Sequence, residues 1–324
     1  EPKGRLPRPA GPTARNPARF GRPARREEAL GRSPPVSFAV PSCRDALEGA
    51  NLMCRLYAMH ANEPTRVECG LVRSQNALMK QSKSDQTGVM HGHGWGVADY
   101  PDGVPKIEKT TWAAFQGEHF SKAAARVYAR TAVAHVRRAT VGTTSFENTH
   151  PFDHGRWIFA HNGTVPNFDD VRFLMLDHID PLHRTEIQGE TDSEHIFRYL
   201  MSLFLQHPED GLAEALRRGL RQIVAWAGEV APGQPVGLNT VLTDGERLVG
   251  SRLNRSLHFI RRDHQFECPV CQKSHVHHDP KQAYRAIEVA SEPVTPEEEW
   301  CDVPNAVVFR ATRDYRLEFI PLEA

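Results

Sequence analysis

Cys54 stands directly after an internal methionine, in Met53-Cys54-Arg55-Leu56-Tyr57-Ala58, where a Pro/Arg-rich leader gives way to apolar, patterned sequence. A lone cysteine is ordinarily a small buried hydrophobe. If the chain works from Met53 and that methionine is trimmed, Cys54 instead becomes an N-terminal residue with a thiol and a free α-amine. The amine titrates at roughly 7.7–8.0 and the thiol at roughly 8.5, so near neutrality the amine can take the thiol proton. This is an activated nucleophile whose general base is the chain's own amino end.

Other stretches carry complementary chemistry. Asn162 and Gly163 follow the apolar run Trp157–Ala160. Asn-Gly is usually hairpin chemistry, yet a side-chain amide beside an accessible glycine N–H also makes a pair of oxyanion donors. Arg137 and Arg138 end a strand-like run from Thr131. On a strand they point to opposite faces, one into a pocket and the other to solvent. Asp192, in Gly189-Glu190-Thr191-Asp192-Ser193-Glu194, reads on pattern as a helix-start carboxylate favoured by the dipole. Further on, Cys268-Pro269-Val270-Cys271 is followed by His275 and His277-His278. Two thiols and nearby imidazoles are the ligand types of a structural zinc site, here Cys268, Cys271, His275 and His277 or His278. A polar hairpin tip with reduced thiols is the other reading.

The elements that must position these groups follow from periodicity. Met53–Met59 reads as a buried strand ended by Glu63-Pro64-Thr65. Val67, Leu71, Val72 and Leu78 give residues 66–83 a helical pattern. Alternate glycines in His91-Gly92-His93-Gly94-Trp95-Gly96 imply a backbone pressed close to something, then a strand into an Asp102-Gly103 turn. A helix is expected over 118–129, a strand over 131–140, and an amphipathic helix from Asp192 through Leu205. His161-Asn162-Gly163 is expected to turn out of the strand before it.

Taken in order, Met-Cys-Arg-Leu at 53–56, the His135–Gly142 stretch, Glu-Asn-Thr-His-Pro-Phe at 147–152, Ala-His-Asn-Gly at 160–163 and Gly-Glu-Thr-Asp-Ser-Glu at 189–194 form one ensemble. It resembles the class II glutamine amidotransferase family of Ntn hydrolases, nearest its stand-alone γ-glutamyl amidase-like members. The resemblance is dense over residues 53 to roughly 205 and weaker to Pro293. It implies an α+β fold, a four-layer αββα sandwich of two largely antiparallel sheets. It also implies Cys54 as nucleophile, Asn162 and the Gly163 N–H as oxyanion donors, Arg137 on the substrate α-carboxylate and Asp192 on its α-ammonium. Thr140 and His150 are implied as secondary pocket residues. Arg138 and Val141 depart from the Trp and His often seen in synthase-linked members, which puts the glutamine-binding edge in doubt.

Composition bounds the rest. The chain has 324 residues, 40% of them hydrophobic, with 40 basic and 40 acidic residues. Residues 1–52 hold ten of the basic and five of the acidic ones, leaving a mildly acidic body without a nucleic-acid footprint. Their Pro, Arg, Gly and Ala content cannot bury enough apolar surface to offset ordering entropy. They are expected to be a disordered extension, a propeptide or a misassigned start, with the active polypeptide beginning at Cys54. Residues 53–324 then form one amidotransferase-type domain, with 257–290 as a hairpin insertion. No apolar run reaches the roughly 18 residues of a membrane span, and six cysteines in a chain this long suggest no disulfide framework. A cytoplasmic enzyme is expected, needing no cofactor for catalysis and acting on a small γ-glutamyl substrate through a thioester at Cys54. The alternatives are a glutaminase subunit delivering ammonia to a separate synthase partner, or a catalytically inactive binding module.

Overall fold

A computed structural model describes residues 54–264, 267–276 and 283–323. The expectations for residues 1–52 and for His277 and His278 lie outside them. In chain order the first half comprises strand β1 (Arg55–Arg66), a π-helical turn (Cys69–Arg73), helix α1 (Leu78–Lys83), β2 (Trp95–Asp99), β3 (Lys106–Thr110), α2 (His119–Arg126) and β4 (Tyr128–Val136). There follow β5 (Phe152–His154), β6 (Trp157–Thr164), α3 (Phe168–Leu176), α4 (Pro181–Thr185), α5 (Asp192–Gln206) and α6 (Leu212–Val230). The chain then runs through β7 (Gly237–Thr243), β8 (Leu248–Arg252), β9 (His258–Arg262), β10 (Ala286–Ala290), β11 (Cys301–Asp302), β12 (Val307–Ala311) and β13 (Leu317–Pro321).

Two antiparallel sheets result, one in the order β11-β9-β10-β1-β4-β2-β3 and one in the order β13-β12-β8-β7-β6-β5. Alternation along the central strands makes the layers. On β1, Leu56 and Ala58 join Ile158 and Ala160 of β6, Val241 of β7 and Val289 of β10 in a core between the sheets. The intervening Tyr57, Met59 and Ala61 pack with Phe120, Ala123 and Ala124 of α2. On β6, Trp157 and Phe159 instead meet Ile196, Phe197 and Leu200 of α5 and Leu216 and Leu220 of α6. Period-two side chains thus feed a helix–sheet–sheet–helix stack, which is the expected αββα architecture. Each such Leu, Ile or Phe withdrawn from water contributes about 1.5–3 kcal/mol.

Several local expectations are refined. β1 runs through Pro64 instead of ending before it, because Pro64 falls in the register break between His60 and Thr65, where no ladder N–H is required. The predicted helix over 66–83 is broken at Ser74–Ala77, both of which are extended. Asn76 there donates from Nδ2 to Pro293 O at 2.9 Å and Glu292 Oε2 at 3.1 Å, tertiary bonds that replace helical ones. Close backbone approach is found at Gly96, where an added Cβ would lie 2.1 Å from His150 O. The runs at 257–260 and 284–290 contribute to paired sheet strands β9 and β10, so the excursion proper is the segment between them. Among the described residues no helix is long and apolar enough to cross a membrane.

Candidate active site

Cys54 immediately precedes β1, the central strand of the first sheet, and is 9% exposed. Its thiol sits across the Arg138 peptide: Sγ accepts the Arg138 N–H at 3.2 Å and donates to Arg138 O at 3.2 Å. Burial pushes the thiol pKa up, while the Arg138 N–H and the charges of Arg137 and Arg55 oppose that and Asp192 adds to it. At neutral pH the sulfur is therefore a thiol, and a base must remove its proton before it can attack.

Beneath Cys54 lies a buried ion network. Arg55 donates from Nη1 to Cys54 O at 3.1 Å, from Nε to Glu292 Oε1 at 2.9 Å and from Nη2 to Asp85 Oδ2 at 2.6 Å. Burial alone would raise the Asp85 carboxyl. The Val89 N–H, the Thr87 hydroxyl, Arg55 and His91 outweigh it and hold it at about 2. Arg55 is thus a charged pin for the backbone of the cysteine. Its place beside Cys54 was the one sequence signal for this role; nothing local marks Asp85 or Glu292 as its partners.

Asn162 was expected to leave β6 in a turn. Instead β6 continues to Thr164, with Asn162 paired to Asn239 and Gly163 to Leu238 of β7. The reason is close packing: a Cβ on Gly163 would lie 1.9 Å from Gly237 O, so glycine serves strand contact there. Parity places Asn162 with Ile158 and Ala160 on the face turned to the first sheet. There its Nδ2 lies 2.9 Å from Ser291 Oγ, which also accepts the Leu56 N–H at 2.9 Å. In that orientation Asn162 Oδ1 is buried without a hydrogen-bond partner. Turning the amide lets the Ser291 O–H donate to Oδ1 and leaves Nδ2 as the donor still to be met. Ser291, reached two residues along β1 from Cys54 and bonded to Leu56 O through its own N–H at 2.9 Å, is a site residue the sequence reading passed over.

The expected strand over 131–140 ends at Val136, so Arg137 and Arg138 lie just past β4, and Arg138 does not turn out to solvent: it is half-buried, with its Nη1 enclosed. Arg137 is 2% exposed and donates from Nη1 to Thr143 O and from Nη2 to Val141 O, each at 3.0 Å. Asp192 is the first residue of α5; its carboxylate accepts the Val165 N–H at 3.0 Å and the Ser193 N–H at 2.8 Å. His161 ties β6 to this helix start, accepting from Ser193 Oγ at Nδ1 (2.9 Å) and donating from Nε2 to Gly237 O (3.0 Å). Arg137 and Asp192, of opposite sign, act on each other and both act on the Cys54 thiol. An open cleft of about 570 Å³ lies alongside, lined by Thr140, Gly142, Thr164, Val165, Arg172 and Glu190. Two of the sequence motifs meet at its edge: the Glu190 N–H donates to Asn148 Oδ1 at 2.8 Å, and Glu190 accepts the Thr143 N–H at 3.1 Å.

Thr140 is exposed on that cleft, with its hydroxyl 3.3 Å from that of Thr164. His150 is placed otherwise. It is 3% exposed, stacked on His135 with ring centroids 4.1 Å apart and edged by Phe152. Burial holds it neutral, and it packs between the sheets without lining the cleft. Cys268, Cys271 and His275 do come together, with Cys69 as an unforeseen fourth member. That group lies on the side of β1 that carries Tyr57 and Met59, beside a small cavity it shares with them.

Residues 53–316 match the family model described as glutamine amidotransferases class-II. A Saccharomyces cerevisiae protein named probable glutamine amidotransferase DUG3 is 31% identical over 297 residues, 78% of this chain and 80% of its own length. The γ-glutamyl-hercynylcysteine sulfoxide hydrolase of Mycobacterium tuberculosis is 22% identical over 229 residues, 70% of this chain and 78% of its own. A solved glutamine aminotransferase class-II domain protein from Silicibacter pomeroyi superposes with a TM-score of 0.56 at 20% identity, over 83% of this chain and 100% of its own.

Proposed function

Because the chain belongs to the class II glutamine amidotransferases, we propose that it hydrolyses the γ-amide of glutamine or of a γ-glutamyl conjugate with Cys54 as an N-terminal nucleophile. The observation that carries this reading is that Cys54 Sγ is hydrogen-bonded at Arg138, next in the chain to the buried Arg137, and that the charges of Arg137 and of the buried Asp192 both act on the thiol. A γ-glutamyl head presents one carboxylate and one ammonium, and two buried charges of opposite sign bracket such a group whatever lies beyond its amide. The hydrolase name of the Mycobacterium tuberculosis relative supports the conjugate as a substrate class.

The free α-amine of Cys54 takes the thiol proton, and the thiolate adds to the γ-carbonyl carbon. Asn162 Nδ2 and the Gly163 N–H hold the tetrahedral oxyanion. The ammonium returns its proton to the leaving nitrogen, the C–N bond breaks and a thioester remains. Water, deprotonated by the same amine, adds to the thioester, and glutamate leaves as the thiol re-forms. A peptide-linked Cys54 nitrogen is not basic and would forfeit the roughly 10²–10⁴-fold assistance of a general base.

The test compares a chain starting at Met53, with that methionine removed, against one that retains residues 1–52. Each is incubated with the glutamine mimic diazo-oxo-norleucine and weighed intact. Label on Cys54 and glutaminase activity only in the shorter chain are expected. Equal activity with the extension still attached overturns the N-terminal mechanism. An unreactive Cys54 in the shorter chain overturns the enzyme reading.

A further inference from the structure

We propose that Cys69, Cys268, Cys271 and His275 form a closed structural zinc site that fastens the segment between β9 and β10 to the end of β1. This inference stands apart from the chemistry at Cys54 and holds whatever the substrate is.

The four ligand atoms lie within 4.8 Å of one another, and Cys271 Sγ is 3.3 Å from His275 Nε2. Around a tetrahedral zinc with Zn–S of about 2.3 Å and Zn–N of about 2.0–2.1 Å, ligand atoms stand about 3.5–3.8 Å apart. The cluster therefore needs to contract by about 1 Å at most. None of the three cysteines is in a disulfide.

The backbone is arranged as a ligand knuckle. Cys268 to Lys273 form a tight turn in which the Gln272 N–H donates to Cys268 O at 2.8 Å and the Cys268 N–H to Lys273 O at 3.1 Å. Gln272 adopts φ +54°, and Glu267 bridges Ser274 at the base of the turn. This turn holds Cys268 and Cys271 side by side and sends the chain back so that His275 returns to them. It is docked on β1 through the Thr65–Val276 bridge and the Arg66 N–H donated to His275 O at 3.0 Å. Three residues beyond Arg66, Cys69 opens the π-helical turn and completes the set.

The ligand set itself selects the metal. Three thiolates and one imidazole supply four protein ligands, which fills a tetrahedral zinc and leaves no position for substrate. The adjoining cavity, about 30 Å³ and bordered by Cys69, Cys268 and His275, is too small for an organic ligand. Binding displaces the three thiol protons, so loading is expected to weaken as the pH falls. One ion would join the strand that carries the nucleophile to a segment more than 190 residues further along the chain.

The experiment measures metal in the full chain purified without chelator. One zinc per chain is expected, with loss of that zinc in Cys69→Ser and in Cys268→Ser and its retention in Cys301→Ser. Cobalt exchanged into the wild-type chain should show the visible spectrum of tetrahedral thiolate coordination, a readout that does not depend on any variant folding. Removing zinc from the wild-type chain should lower its Tm, and returning zinc should restore it. Absence of zinc and of a cobalt–thiolate spectrum overturns the site, as does a disulfide found among these cysteines by mass. Zinc retained in Cys69→Ser but lost in His277→Ala overturns this ligand set in favour of one confined to the knuckle and the residues after it.

Discussion

At Arg137 the fork is divided between two tasks. One N–H of each terminal nitrogen holds the Val141–Thr143 loop, which leaves the guanidinium three further donors for a ligand. Lysine keeps the charge but cannot serve both sides. Arg137→Lys should therefore raise KM for glutamine by about 10–100-fold, since charge-assisted bonds contribute roughly 1.5–3 kcal/mol. Asp192→Asn should raise KM in the same way while keeping the Val165 contact through its amide oxygen. Steady-state kinetics with unchanged KM in both variants would remove the head-group assignment. Ser291 acts one bond further back. Ser291→Ala leaves Asn162 without its anchor and should lower kcat about tenfold with little change in KM, because the oxyanion exists only in the transition state. A change confined to KM would show that Ser291 positions something else.

Among the elements, β6 carries the most information per residue, because its two faces serve different layers. Ile158, Ala160 and Asn162 look toward the first sheet, while Phe159 and His161 meet α5. Gly163 keeps β6 flush against β7. Gly163→Ala must push the strands apart and should cost at least about 1–3 kcal/mol, the usual range for overpacking. Gly228, on the exposed side of α6, has nothing within 4 Å of an added Cβ, so Gly228→Ala should stabilise by about 0.4–1 kcal/mol. Thermal unfolding of the pair gives opposite shifts in Tm if this reading of β6 is right. A neutral Gly163→Ala would mean the strand can be spread without loss.

Over the whole molecule, buried neutral histidines set the acid limit of the fold. Burial lowers His60 to about 4, against the pull of Asp244. Burial and then Arg55 lower His91 to about 4 although Asp85 is hydrogen-bonded to it, and burial, Arg137 and His161 lower His135 to about 3. Unfolded histidine titrates near 6.5, so below that pH the unfolded chain binds more protons and stability falls. The loss runs from about pH 6.5 to 4 for His60 and His91 and on to about pH 3 for His135, up to about 3 kcal/mol for each of the first two. Asp85, depressed to about 2, adds its loss only from about pH 4 downward. Acid unfolding followed by circular dichroism should begin well above the carboxylate range, and His60→Gln should move its midpoint to lower pH. Constant stability between pH 7 and 4.5 would show that these rings are not held neutral.

The strand at Cys54 and the helix from Asp192 were legible in the linear pattern. Each depends on period-two or period-3.6 burial, or on a cap, and these act over a few residues. The ordered motifs also made the family legible, since their spacing survives where overall identity is low. What stayed hidden is what distant residues decide together. Asn162-Gly163 reads locally as a turn, and only the closeness of Gly237 O makes it a strand. His150, implied as a pocket residue by the resemblance, is packed against His135, a stacking partner that nothing in its own stretch announces. Asp85 and Glu292 become partners of Arg55, and Ser291 of Asn162, across 30 to more than 200 residues of chain. Cys69 joins the CxxC turn for the same reason: β1 ends where the segment between β9 and β10 folds back. Local periodicity determines which elements form, while pairing register and loop docking, settled by the packing of the whole core, determine which side chains meet.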